Sequence, residues 1–232
     1  MTLLYVTLAV APATWYNLLV RDTASIWERT IFMAHIKWIG IIKNEIAEYQ
    51  KGYLDSKAMK MKLPATMKEM MVKALPFAIV PFVTIFLSVF IKTFLAGQVI
   101  IVPVFFVIGF VTGFVGLLAH EWLHAIVYPK EATVCIGIYP KSFAAVALVS
   151  HPLKKWRFIL MSLLPLLLGI LPIVVFWLSP VEWKSWNSFC FGFSIMALIS
   201  PYPDCYNVYQ VLKQTPSKCY IQNYGDDTYW IE

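Results

Sequence analysis

The sequence predicts an all-α polytopic membrane protein, built on a four-span helical core with a candidate β-hairpin between the second and third spans. Three observations predict it. Of 232 residues, 59% are apolar and only 14% charged, against about 45–50% and about 25% in soluble domains. The apolar residues fall in long blocks near the roughly 20 residues that cross a bilayer as a helix. The basic residues gather between those blocks. Helices are the only plausible spans, because a lone strand leaves its backbone groups unpaired in lipid.

The elements follow in order. Residues 2–20 are apolar but interrupted by Pro12 and Asn17, and no basic segment precedes them as it would in a signal peptide. A span, a surface helix and an unstructured segment all remain open there. Over residues 21–73, Ile26, Trp27, Ile31, Met33, Ile36, Trp38, Ile39, Ile42 and Ile46 recur at roughly helical spacing, predicting an amphipathic helix on the membrane surface. Residues 1–58 thus form an N-terminal extension, and composition changes near Met59. The core, 59–215, carries spans near 74–96, 99–128, 157–178 and 188–212, the last interrupted at Pro201 and Pro203. Gly109 and Gly113 in the second span form a G-x-x-x-G that permits close helix packing. Between spans two and three, "TVCIGIY" and "SFAAVALV" flank Pro140 and Lys141 and read either as a β-hairpin or as an apolar loop. Residues 216–232 read as a polar tail.

Loop charge sets orientation. Residues 21–73 hold ten Lys or Arg, and the loop 129–157 holds Lys130, Lys141, Lys154, Lys155 and Arg157. The other two connections are nearly free of basic residues. By the positive-inside rule the basic loops and the C-terminus face the cytoplasm. This predicts a multi-pass protein of the cytoplasmic membrane. The net charge of +6 is explained by that asymmetry, and no basic stripe interleaved with stacking aromatics points to nucleic acid. Cys135, Cys190, Cys205 and Cys219 form no C-x-x-C pair and read as free thiols.

The chemistry lies where span two ends. His120-Glu121-Trp122-Leu123-His124 reads H-E-x-x-H. Residues four apart share a helix face, so His120 and His124 can offer two nitrogens to one Zn²⁺, with Glu121 in reach as a general base. Histidines bonded to headgroups or backbone are the plainer alternative, but ionisable residues inside a membrane are costly and usually functional. A catalytic zinc needs a third protein ligand. Among the acidic residues beyond span three, only Asp204 is embedded in a span. It lies about 16 residues, roughly 24 Å, along span four, and His120 about 21 residues, roughly 31 Å, along span two. Both spans run in the same direction, so the depths agree. A helix N-cap is the alternative role for Asp204, and His151 is the alternative third ligand.

An H-E-x-x-H closing one span, followed by an Asp after a Pro-rich break in a later span, resembles the site-2 protease group of intramembrane zinc metalloproteases. More narrowly, residues from about 60 to 212 resemble a family of small bacterial membrane proteins described as zincin peptidases of unknown function. The stretch "IYPKSFAAVALVSHPLKKWRFILMSLLPLLLGILP" carries part of that likeness. The resemblance implies zinc held by His120, His124 and Asp204, Glu121 as the base, and a bacterial cytoplasmic-membrane location. It further implies that the 134–149 element pairs by edge addition with an unwound membrane-spanning substrate. Around Asp204 the chain departs from the N-x-x-P-x-P-x-L-D-G of the site-2 group: "SPYPDCYNV" lacks the Leu and the Gly. Asn207 is a substitute for that group's carbonyl-positioning asparagine. The expected function is an intramembrane zinc endopeptidase cutting membrane-spanning substrates near the cytoplasmic face. The rival readings are a zinc hydrolase of lipid-like substrates and a non-proteolytic membrane scaffold.

Overall fold

The computed structural model describes residues 34–43, 45–140 and 144–232; the segment 2–20 and the first part of the expected surface helix lie outside them. Helix α1 is Met67–Ala74, α2 Pro76–Ala96, α3 Pro103–Val115 and α4 Leu117–Ala125. Then follow α5 Lys155–Leu163, α6 Leu167–Leu178, α7 Lys184–Ile199 and α8 Tyr202–Gln214. Short strands β1 His35–Ile41, β2 Met59–Lys60, β3 Thr133–Tyr139, β4 Ala144–Leu148, β5 Leu153–Lys154, β6 Tyr220–Tyr224 and β7 Asp227–Ile231 complete the fold. Over the described residues the chain is therefore mostly helical with two small sheets, rather than all-α.

Among the described residues, three helical stretches are long and apolar enough to cross a membrane: Pro76–Ala96, Pro103–Ala125 and Lys155–Leu178. Proline opens α2 and α3, where its missing N–H costs nothing. The α2 helix stops at Gly97, whose φ of 61° places it in the left-handed region that ends many helices. The α3 helix runs into α4 through Gly116 without losing the hydrogen-bond ladder, since Gly116 and His120 N–H groups still reach Thr112 and Gly116 carbonyls. The segment expected as a fourth span is two helices. At 16 residues α7 reaches about 24 Å, short of the ~30 Å hydrocarbon layer, and the chain then breaks at Ser200–Pro201.

Helix α7 lies at the centre of the helical layer, with eight of its residues buried. Glycine lets it approach α3. A methyl group on Gly109 or Gly113 would collide with the backbone at Phe189 and Phe193, and one on Gly192 with the Phe106 carbonyl. The G-x-x-x-G of the sequence is thus a backbone-to-backbone contact. At the far end, buried Lys92 donates to the Phe176 carbonyl, to the Ser179 carbonyl at 2.7 Å and to Asn187 Oδ1 at 2.7 Å, tying α2 to α6 and α7.

The three-stranded sheet has order β1-β3-β4, with β1 parallel to β3 and β3 antiparallel to β4. Residues 35–41 therefore form a strand, not the expected helix. Their β-branched isoleucines suit extended backbone, and Gly40, at φ 70°, sits at an irregularity in the pairing. The second sheet has order β2-β7-β6-β5 and takes in the residues read as a polar tail. Its Tyr, Ile, Thr and Trp residues favour extended backbone, and Gly225 supplies the positive φ of the tight turn. Ile221 and Gln222 are buried, the latter donating to the Tyr53 carbonyl at 2.8 Å. One apolar cluster, including Ala125, Ile136, Phe158, Met161, Val211 and Ile221, joins α4, α5, α8 and both sheets. It fixes the end of α4 relative to α8.

Candidate metal centre

The nine residues of α4 carry His120 and His124 on one face, both more than nine-tenths buried. Their Nε2 atoms are 3.0 Å apart. His124 Nδ1 lies 2.8 Å from the Met161 carbonyl. A carbonyl can only accept, so Nδ1 carries the hydrogen and Nε2 keeps its lone pair. Asp204 comes from the opposite side, in the first turn of α8. Pro201 occupies the N-cap position, so Asp204 is not the cap; it sits beyond it, where the helix dipole favours a carboxylate. Its Oδ2 is 3.2 Å from His120 Nε2 and its Oδ1 3.6 Å from His124 Nε2.

Among the described residues, these are the three that could hold one metal ion together. In a tetrahedral zinc site with metal–ligand distances near 2.0–2.1 Å, neighbouring donor atoms stand about 3.3 Å apart. The separations of 3.0, 3.2 and 3.6 Å bracket that value. A carboxylate and an imidazole nitrogen brought this close in a buried site share either a proton or a metal ion, and the donor set of two imidazoles and one carboxylate suits zinc. The His124–Met161 bond is the kind of outer contact that orients a ligating imidazole.

Residues 113–220 match a family model described as putative zincin peptidase. The match covers just under half of the chain and takes in His120, Glu121, His124 and Asp204. It supports a zincin-like family and a metallopeptidase class for this sequence, and zinc as the metal. No curated protein and no solved structure matches.

Glu121 is the remaining member of the motif. Its Oε1 lies 3.8 Å from His120 Nε2, its side chain is only 13% exposed, and the Ala147 backbone N–H donates to it. That bond ties the motif helix to β4. The zincin-like cluster opens into a cavity of about 710 Å³ bounded by α1, β4 and the α7–α8 break. Strand β4 is an edge of its sheet among the described residues. Its facing can be worked out. The Ile138 carbonyl accepts from Ile42 N–H, on the side of β1. Ile138 is paired with Ala145 and Ile136 with Ala147, so the peptide groups of Ala145 and Ala147 point away from β3. Both residues line the cavity.

His151 is not brought to the cluster. Burial pushes its imidazole below the ordinary histidine range; Arg157 adds to that and Glu131 opposes it. Asn207 and Ser200, on either side of Asp204, both line the cavity. Asn207 Oδ1 and Ser200 Oγ are buried side-chain atoms without a hydrogen-bond partner. Sequence reasoning missed Ala147 and the Met161 carbonyl, because backbone groups contribute there and any residue type would serve.

Proposed function

We propose that this chain is an intramembrane zinc endopeptidase that cuts membrane-spanning substrates near the cytoplasmic face, with His120, His124 and Asp204 as ligands and Glu121 as the catalytic base. The observation that carries the reading is the convergence of His120 Nε2, His124 Nε2 and an Asp204 oxygen within 4.8 Å, at the end of a helix apolar enough to span. His120, His124 and Asp204 would hold the zinc, which when bound would supply Lewis acidity to a scissile carbonyl and lower the pKa of a water toward about 7. Glu121 takes the proton from the attacking water and returns it to the leaving amine. The outward Ala145 peptide groups and the Ala147 carbonyl receive an extended substrate segment by edge addition, the Ala147 N–H being held by Glu121. Asn207, with its unpartnered oxygen, is placed to hold a substrate peptide group beside Asp204.

In this reading the basic loop 129–157, which follows the apolar Pro103–Ala125 helix, lies inside by the positive-inside rule, so the site sits at the cytoplasmic edge of a bacterial cytoplasmic membrane. The test is Glu121→Gln in full-length protein reconstituted in lipid. The variant keeps its zinc and loses cleavage of a transmembrane peptide by about 10²–10⁴-fold. Undiminished cleavage by the variant contradicts the reading. A lipid product without a peptide product would favour the lipid hydrolase instead.

A further inference from the structure

The chain contains nine methionines. Six of them, Met61, Met67, Met70, Met71, Met161 and Met196, line the cavity that holds the His120–His124–Asp204 cluster. They come from four separate segments: the residue after β2, helix α1, helix α5 and helix α7. Leucine and isoleucine, far commoner in the chain, contribute no more to the cavity lining: Ile46, Leu63, Leu117, Leu148, Ile195 and Ile199. The concentration of thioethers in one cavity is a property of the cavity.

Helix α1 contributes half of the set. Met67, Met70 and Met71 fall at i, i+3 and i+4, one face of the helix. Lys68, Glu69 and Lys73 are exposed. The helix is held at its start by a reciprocal cap, in which Thr66 Oγ1 accepts from Glu69 N–H and Glu69 Oε2 accepts from Ala65 N–H. Met67 and Met71 are each 37% exposed, so the face is open toward the cavity rather than consumed in packing.

The β4 part of the lining has the opposite character. Val146 and Leu148 add apolar side chains there, but Ala144, Ala145 and Ala147 present little beyond backbone. One part of the cavity thus offers main-chain hydrogen bonding that is blind to side-chain identity. Another offers unbranched, polarisable side chains with three rotatable bonds that re-pack around different shapes. We propose that this cavity binds apolar peptide segments of variable sequence, and that Met67, Met70 and Met71 are specificity-determining residues that read hydrophobicity rather than shape. The substrate class rests on the peptidase reading above, but the binding property does not require turnover.

The test uses full-length Glu121→Gln protein in lipid nanodiscs, which binds without cutting. The probe is a Lys-flanked Leu/Ala peptide of about 20 residues, its binding followed by fluorescence anisotropy. Dilute hydrogen peroxide then oxidises exposed methionines to sulfoxides, read residue by residue in the mass spectrometer. Bound peptide should protect Met67 and Met71 several-fold and leave Met59, which is 46% exposed and outside the cavity, unchanged. In a second arm, Met67→Leu/Met70→Leu/Met71→Leu keeps volume and helix propensity. Peptides carrying Leu, Ile or Met in place of Ala, close in hydrophobicity but different in shape, should bind the wild type with similar affinity. The leucine variant should separate them several-fold, as a shaped pocket does. Equal oxidation with peptide bound, an unchanged affinity spread, or no peptide binding overturns the inference. Protection in Glu121→Gln together with a wild type that never cleaves the same peptide would instead sink the peptidase reading and leave this one standing.

Discussion

Asp204 Oδ2 stands 3.2 Å from His120 Nε2, although the two residues belong to helices α8 and α4 from different halves of the core. The contact exists because α8 begins anew at Pro201–Tyr202, which turns the first-turn carboxylate toward the motif helix. Its energetic consequence is that metal binding and folding are coupled.

Zinc therefore stabilises the protein by mass action. At free zinc about 100-fold above Kd the gain is about 2.7 kcal/mol, visible as a chelator-sensitive rise in Tm. In Asp204→Ala the chelator-dependent difference collapses, while the chelated wild type and chelated variant melt at similar temperatures.

The α3–α7 contact tolerates no side chain. Gly109→Leu drives its side chain into the Phe189 backbone, and overpacking of this sort costs about 1–3 kcal/mol or more. Loss of folded protein after detergent extraction measures it. Gly97→Ala, where no atom lies within 4 Å, suffers only the strain of its positive φ.

Lys92 holds three acceptors in a buried position. Lys92→Met keeps the aliphatic stem and leaves the Phe176 and Ser179 carbonyls and Asn187 Oδ1 without their donor. Each unsatisfied group costs about 1–3 kcal/mol, so the variant should unfold in detergent well below the wild type. Zinc bound per folded chain should stay the same, because the site lies at the other end of the bundle.

His151 gives the protein an acid-sensitive component of stability. Its folded value lies below the ordinary 6.5, so the unfolded chain takes up the proton more readily. The contribution is present in full above about pH 6.5 and is lost as pH falls through the folded value. Melting temperatures compared at about pH 7.5 and about pH 5.5 should fall less steeply in His151→Asn than in the wild type.

Much of the site was legible because its parts obey local rules. The spacing of His120 and His124 is a helix property, and Asp204 stood out as the acidic residue embedded beyond span three. What the sequence hid was non-local or carried by backbone. The isoleucines of 35–41 satisfy a helical spacing as well as a strand, and only pairing with β3, distant in the chain, decides between them. Residues 220–231 looked polar by composition, yet their Tyr, Ile and Trp around Gly225 carry a hairpin signal that composition averages away. The interruption at Pro201 was visible; that it leaves α7 too short to meet the length of a span was not.

The central claim is that His120, His124 and Asp204 hold one zinc, and metal content of purified full-length protein tests it most directly. The account predicts zinc near one per chain in the wild type and in Glu121→Gln, and its loss in His120→Ala, His124→Ala and Asp204→Ala. Affinity in each ligand variant should fall by more than the 10–100-fold that outer contacts contribute. A wild type that takes up no zinc when supplied with it, or an Asp204→Ala variant that keeps a full equivalent, would contradict the account.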